Sequence, residues 1–196
     1  CNAITKVIEP VFQHSEDSRI YYINLGKDSY KLGGSSFAQI RNSIGKEAPD
    51  IMDSAYVKNV FNSIQKLIKS DRIIAGHDVA SGGLITTLLE MCFPNTKIGA
   101  KLNLSTLDES DTIKVLFAEN SGIVFQAYTS VEKVLNTAKI TYNKIGNVTD
   151  DEVLRIQNHT DNFEFSIPKY RDIWFKTSYL LDQRQSGEIK ALERFN

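Results

Sequence analysis

Residues 73–93 read IIAGHDVASGGLITTLLEMCF. Ile73 to Gly76 is a short apolar run of the kind a buried strand has. It ends in His77-Asp78. A short loop carrying Ser81-Gly82-Gly83 follows, and then Leu84, Ile85, Leu88, Leu89 and Met91 are apolar on nearly every face of a helix. Such a helix is central and buried. Strand, glycine-rich loop and helix start together aim backbone N–H groups and the positive end of the helix dipole at an anion. Glycine lets that anion come close to the backbone. Asp78 at the same place repels a phosphate unless a cation stands between them, so its chemistry points to a Mg²⁺ ligand bridging to phosphate oxygens. The structural alternative is that Asp78 caps the loop and Gly82-Gly83 permits tight packing of strand on helix. The spacing is neither G-x-G-x-x-G nor a Walker A loop, and pattern alone leaves both readings open.

Two further stretches repeat parts of this theme. KLGGSSFAQ at 31–39 holds a glycine pair, hydroxyls and a helix start. It reads as an anion site, or as a turn followed by a cap at Ser35 or Ser36. LFAENSG at 116–122 offers Glu119 as acid, base or metal ligand, or as a solvated acidic residue at a helix end. His77 and Asp78 are neighbours, which point to opposite sides of an extended chain, so they form no catalytic dyad by spacing and His77 reads as structural. Lys31, Arg171 and Lys176 read as surface cations, and Trp174 as a core or interface anchor. The histidines, His14, His77 and His159, are scattered. Cys1 and Cys92 match no zinc spacing and are too few for a disulfide framework. Cys92 lies in an apolar stretch and reads as a small buried hydrophobe. Reduced thiols point to the cytoplasm.

The rest of the chain alternates strands and helices. Residues 1–20 are polar and irregular and read as a connector or arm, with the domain proper at 21–196. YYINL at 21–25 is a strand candidate. A short helix is expected to carry Phe37, Ile40 and Ile44 on one face. Asp53 is placed to cap a helix over 54–69 whose apolar positions Val57, Val60, Phe61, Ile64, Leu67 and Ile68 recur at three and four. Strands are expected at 98–104 and 123–128, and short helices at 111–118 and 130–137. The region 139–166 reads as strands with a turn at 146–151. Pro168 suits the first turn of a last helix over 169–185, with Trp174, Tyr179, Leu180 and Leu181 as its apolar side. Long helices mixed with direct strand–strand turns predict an α/β sandwich: a mixed or antiparallel sheet with helices packed on it.

Composition bounds the function. The chain has 196 residues, 23 Lys+Arg against 24 Asp+Glu, and is 41% hydrophobic. That excludes intrinsic disorder, and a chain of this size buries roughly 70% of its unfolded surface. A net charge of −1 argues against nucleic-acid partners, which are held by many Lys and Arg. No apolar run approaches the roughly 20 residues of a spanning helix, and no secretory n-region and h-region opens the chain, so no membrane partner is expected. The start, CNAITKV, lacks an initiator Met and reads as the beginning of a fragment.

Five stretches, KLGGSSFAQ, APDIMD, IIAGHDVASGGLITTLLEMCF, LFAENSGIVFQ and the closing YRDIWFKTSYLLDQRQ with ALERFN, carry a resemblance in order over about 21–196. They resemble the phosphoribosylformylglycinamidine synthase family, and within it the last AIR-synthetase-like C-terminal domain of the large single-chain form. The resemblance implies an ATP-dependent amidotransferase ligase of purine biosynthesis, which converts formylglycinamide ribonucleotide, glutamine and ATP to formylglycinamidine ribonucleotide. It implies upstream synthetase domains and a downstream glutaminase domain as partners on the same chain, with ATP and formylglycinamide ribonucleotide bound by the full enzyme. By position in the motif, Asp78 matches the family's Mg²⁺-ligating aspartate at an auxiliary ATP/ADP site, and Ala80, Ser81, Gly82 and Gly83 match its nucleotide loop. The family commonly reads HD-x-SDGGL. This chain has HDVASGGL, so the hydroxyl at position 80 is absent and a backbone contact is what the resemblance leaves there. No catalytic residue is expected in this stretch, and the chain alone is expected to be inactive. The alternative is a scaffold domain of the same enzyme with a vestigial nucleotide loop.

Overall fold

The structure, a computed structural model, describes residues 6–195. Cys1 and Asn196 lie outside the described residues. Seven strands form one mixed sheet: β1 Ser18–Asn24, β2 Ile73–Val79, β3 Gly99–Asn103, β4 Gly122–Tyr128, β5 Asn143–Thr149, β6 Val153–Asn158 and β7 Asp161–Ser166. Their spatial order is β2-β4-β1-β5-β3-β6-β7. Only β3 and β6 run parallel; the other neighbours are antiparallel. This is the mixed α/β sandwich that the alternation of elements predicts.

Helices lie on both faces. α2 (Ser54–Lys69) and α5 (Val131–Thr137) cover β2, β4 and β1 on one side, closing a core around Tyr21, Phe125, Val60, Ile64 and Leu67. On the other side α3 (Gly83–Cys92) and α4 (Thr112–Phe117) cover the whole span from Ala75 to Ile156. Among the described residues, the sheet half beyond β1 has no helix over its first face. There Lys101, Asn103, Lys144, Asn147 and Gln157 stand exposed, while their strand neighbours Ala100, Leu102 and Ile156 are buried. That alternation is the mark of a sheet wetted on one side.

Local chemistry sets the helix ends. Asp53 accepts from the Tyr56 N–H at 2.9 Å, and Asp111 from Ile113 and Lys114 at 2.9 and 3.3 Å, satisfying N–H groups that have no partner inside the helix. The short helix α1 (Ser36–Ile40) is capped by Ser35, whose Oγ accepts from Ala38 N–H. It ends sooner than its apolar spacing predicts. Asn42 adopts φ 53°, its N–H bonds the Gln39 carbonyl and that of Ser43 bonds Ala38, a Schellman stop. Ile44, expected to share a helix face with Phe37 and Ile40, therefore lies beyond the helix, and Ile40 and Ile44 are 78% and 65% exposed. Phe61 of α2 likewise points outward.

Other expectations shift. Strand β2 runs through His77 and Asp78, its expected end, and stops one residue later at Val79. Gly146, expected in a turn, lies inside β5, where a Cβ would come within 2.1 Å of the Lys101 carbonyl oxygen; the turn falls after Thr149. The stretch read as a connector to residue 20 is structured from earlier on: β1 begins at Ser18, and Phe12 is buried with its N–H bonded to the Met91 carbonyl. Glu9 makes an isolated parallel bridge to Ala75 and accepts from Gly76 N–H at 3.2 Å along the outer edge of β2.

The chain closes with two helices where one is predicted. α6 (Ile167–Ser186) has Pro168 in its first turn and buries only Ile167. α7 (Glu188–Phe195) folds back along it after Gly187, held by Tyr179 against Phe195 and by Arg194 on Asp182 at 2.7 and 2.8 Å. The predicted apolar side of α6 does not enter the core: Trp174, Leu180 and Leu181 are about half exposed. Among the described residues no helix is long and apolar enough to cross a membrane.

Candidate functional site

Three stretches that the sequence presents separately meet at one place. Glu119 follows α4, and its Oε1 accepts from the Ser36 N–H at 2.8 Å and from the Gly82 N–H at 2.8 Å. One carboxylate thus ties the 31–39 loop to the 77–83 loop. Beside it the Phe37 and Phe117 rings stack, with centroids 4.9 Å apart. Asn120 donates to the carbonyls of Asp28 and Ser29 at 3.3 and 3.1 Å, anchoring the same loop further back. Partial burial raises the pKa of Glu119, but the N–H groups of Ser36 and Gly82 and the Ser36 hydroxyl outweigh it and hold the carboxyl below its ordinary value.

The glycine pair is needed for this geometry. Gly82 and Gly83 adopt φ 88° and 73°, and a Cβ would lie 2.2 Å from Thr86 Oγ1 at the first and 2.7 Å from the Leu116 carbonyl oxygen at the second. Side-chain-bearing residues rarely adopt such angles. The sequence aims the N–H groups at the start of α3 at an anion. Their acceptors, however, are internal: Glu119 takes Gly82 N–H, and the Ala80 carbonyl takes Gly83 N–H at 3.0 Å. Ala80 and Ser81 are exposed at the tip.

Asp78 sits near the end of β2 with its side chain 79% exposed. Its carbonyl accepts from Thr87 Oγ1 at 3.3 Å, which fixes the backbone to α3 while leaving the carboxylate free to meet a ligand. His77 Nδ1 lies 2.7 Å from the Asp78 carbonyl oxygen and 3.2 Å from Oδ1. Its Nε2 faces Glu90 Oε2 at 3.5 Å. The described residues contain no group of three His, Cys, Asp or Glu able to hold a metal. Asp78 is thus a single exposed hard oxygen donor. Cys92 is buried, and burial pushes its thiol up to about 12, so it is an inert thiol at neutral pH.

No sequence pattern signals the link between Glu90 and Trp174. The indole N–H of Trp174 donates to Glu90 Oε1 at 3.1 Å, across 84 residues of chain. Lys31 pairs with Asp28 at 2.7 Å, and Arg171 donates to Asp172 and to the Phe195 carbonyl.

Comparison with known proteins adds to this geometry. Residues 17–158 match the family described as AIR synthase related protein, C-terminal domain. The chain is 34% identical over 191 residues to a protein of Arabidopsis thaliana named probable phosphoribosylformylglycinamidine synthase, chloroplastic/mitochondrial, covering 94% of this chain and 13% of that protein. A Dictyostelium discoideum protein named phosphoribosylformylglycinamidine synthase is 33% identical over 211 residues, covering 95% of this chain and 15% of that protein. The chain thus spans about a seventh of the length of these relatives. Among solved structures, T. maritima PurL complexed with FGAR superposes with a TM-score of 0.65 at 14% identity, over 86% of this chain and 30% of that one. Hydrogenase maturation protein HypE in complex with ATP superposes at 0.57 and 14% identity, over 84% and 54%. At those identities the structural likeness speaks for the fold.

Proposed function

The chain belongs to the AIR synthase related C-terminal domain family, and from that premise we propose that it works as a domain of a phosphoribosylformylglycinamidine synthase. The observation that carries this reading is the 34% identity that runs over 94% of the chain to a protein of that name. The whole enzyme would convert formylglycinamide ribonucleotide, glutamine and ATP to formylglycinamidine ribonucleotide. Its remaining synthetase and glutaminase parts would be the partners of this domain. On this reading the domain supplies one wall of a nucleotide–Mg²⁺ site and has no catalytic residue of its own.

Asp78 is the residue proposed to hold the metal, and a Mg²⁺ there would neutralise nucleotide phosphates beside the exposed tip Ala80-Ser81. Its exposure at a strand end whose backbone is fixed by Thr87 supports that role. Mg²⁺ commonly takes one or two protein carboxylates and keeps waters, so one Asp is a sufficient share. The Gly82 and Gly83 N–H groups are engaged within the chain. Their proposed part is accordingly to shape the loop that presents Ala80 and Ser81. The same engagement favours the second reading, in which the domain only buttresses its neighbours. The cytoplasm remains the proposed compartment on the strength of the free thiol; the plant relative's name places that protein in organelles instead.

Asp78→Asn in the full-length enzyme separates the two readings. A ligand held at 100 to 1,000 times its Kd stabilises a fold by about 3–4 kcal/mol. The variant is therefore expected to lose co-purified nucleotide and melt several degrees lower, with ammonia-dependent turnover reduced less. Full nucleotide occupancy together with an unchanged Tm would leave only the buttress.

A further inference from the structure

A cleft of about 640 Å³ opens between α3 and α6, a volume suited to a small organic ligand. Its floor comes from the part of the chain that matches the family: His77, Glu90 and Phe93. Its roof is Arg171, Trp174 and Phe175 of α6, beyond residue 158 where that match ends. Asp78 is not among the lining residues.

The Trp174 ring is held by its N–H bond to Glu90 and by neighbours at 5.6 Å (Phe93) and 6.0 Å (Phe175). It is nevertheless 53% exposed. A large apolar ring that is fixed and uncovered is a stacking platform for another flat ring. Glu90 stands at the edge of that platform. Its Oε1 is used by the indole, but Oε2 has only His77 at 3.5 Å, beyond good hydrogen-bond length. A carboxylate has about four acceptor positions and no donor, so Glu90 can take further N–H groups. Arg171 supplies the opposite charge. Asp172 and the Phe195 carbonyl use two of its N–H groups, and a guanidinium has five.

We propose that this cleft binds a nucleotide whose base presents two adjacent N–H donors, a guanine-type base, stacked on Trp174 with its donor edge on Glu90 and its phosphate toward Arg171. The carboxylate sets the choice of base. Guanine offers N1–H and the exocyclic amine side by side, which one carboxylate accepts together. Adenine sets an acceptor nitrogen beside its amine, and that lone pair faces the carboxylate's negative charge.

The chain has one tryptophan, so its fluorescence reports on this cleft alone. GMP titrated in EDTA, which keeps metal-dependent nucleotide binding out of the signal, is expected to quench it saturably. AMP should bind about tenfold more weakly or worse, and Glu90→Gln should lose about tenfold or more for GMP, as loss of a charge-assisted pair does. Arg171→Gln should bring GMP down to the affinity of guanosine, a readout that holds even where Glu90→Gln fails to fold. Quenching that does not saturate, AMP as tight as GMP, or GMP still preferred to guanosine in Arg171→Gln would overturn the proposal.

Discussion

Glu119 does at this site what a bound anion does elsewhere. Its carboxylate fills the place where two glycine-rich loops present N–H groups, so the chain carries its own counter-charge there. Glu119→Ala leaves the Ser36 and Gly82 N–H groups without an acceptor, a loss of about 1–3 kcal/mol readable in urea melts at neutral pH. The pH dependence has a definite sign. The folded carboxyl is held below its ordinary value near 4.5, so its stabilisation is complete above that value and fades as pH falls through the lower folded value. Wild type and Glu119→Ala should converge in stability as pH falls below the ordinary carboxyl value; a constant gap down to acid unfolding would show that the bond does not depend on charge. At this scale the sequence spoke clearly where the chemistry was local. Asp53 caps the helix that starts at the next residue, as its place predicts. Glu119 bonds Ser36 from 83 residues away and Gly82 from 37, distances across which spacing carries no information.

Among the elements α3 holds the centre. Leu88 is 0% exposed within the larger core, and its all-round apolar sequence announced that burial. Leu88→Ala should cost about 2–5 kcal/mol in a denaturant melt, the range for truncating a core leucine; a loss under about 0.5 kcal/mol would contradict the packing. Elsewhere the periodic signal misled for identifiable reasons. Ile40 and Ile44 keep helical spacing, but Asn42 turns the backbone left-handed between them. Glycine in β5 permits close approach to β3 rather than a turn. Trp174, Leu180 and Leu181 share a helix without a core to enter, because α6 leaves the sheet after Ile167 and runs on past β7 to pack along α3 and α7. An apolar residue's position on a helix was legible; what that helix packs against was not.

For the molecule as a whole, alternation of strands and helices predicted the class but not the strand order, since β1 lies mid-sheet between β4 and β5 and no local pattern specifies non-sequential neighbours. The chain spans about a seventh of its named relatives, and Cys92 is buried and protonated at neutral pH. Incubated with glutamine, ATP, Mg²⁺ and formylglycinamide ribonucleotide, the purified chain should therefore give neither synthase nor glutaminase turnover; rates above a no-protein control would assign catalysis to this domain. The bridge from Glu9 to β2 lies on an outer edge of the sheet. An unpaired outer strand is a template on which a foreign strand can zip up, the first step toward filaments. Glu9 occupies part of that template at Ala75 and Gly76, and Pro10, with no N–H to offer, stops the pairing from extending. Glu9 and Pro10 thus cover the middle of the β2 rim, where another chain would otherwise pair.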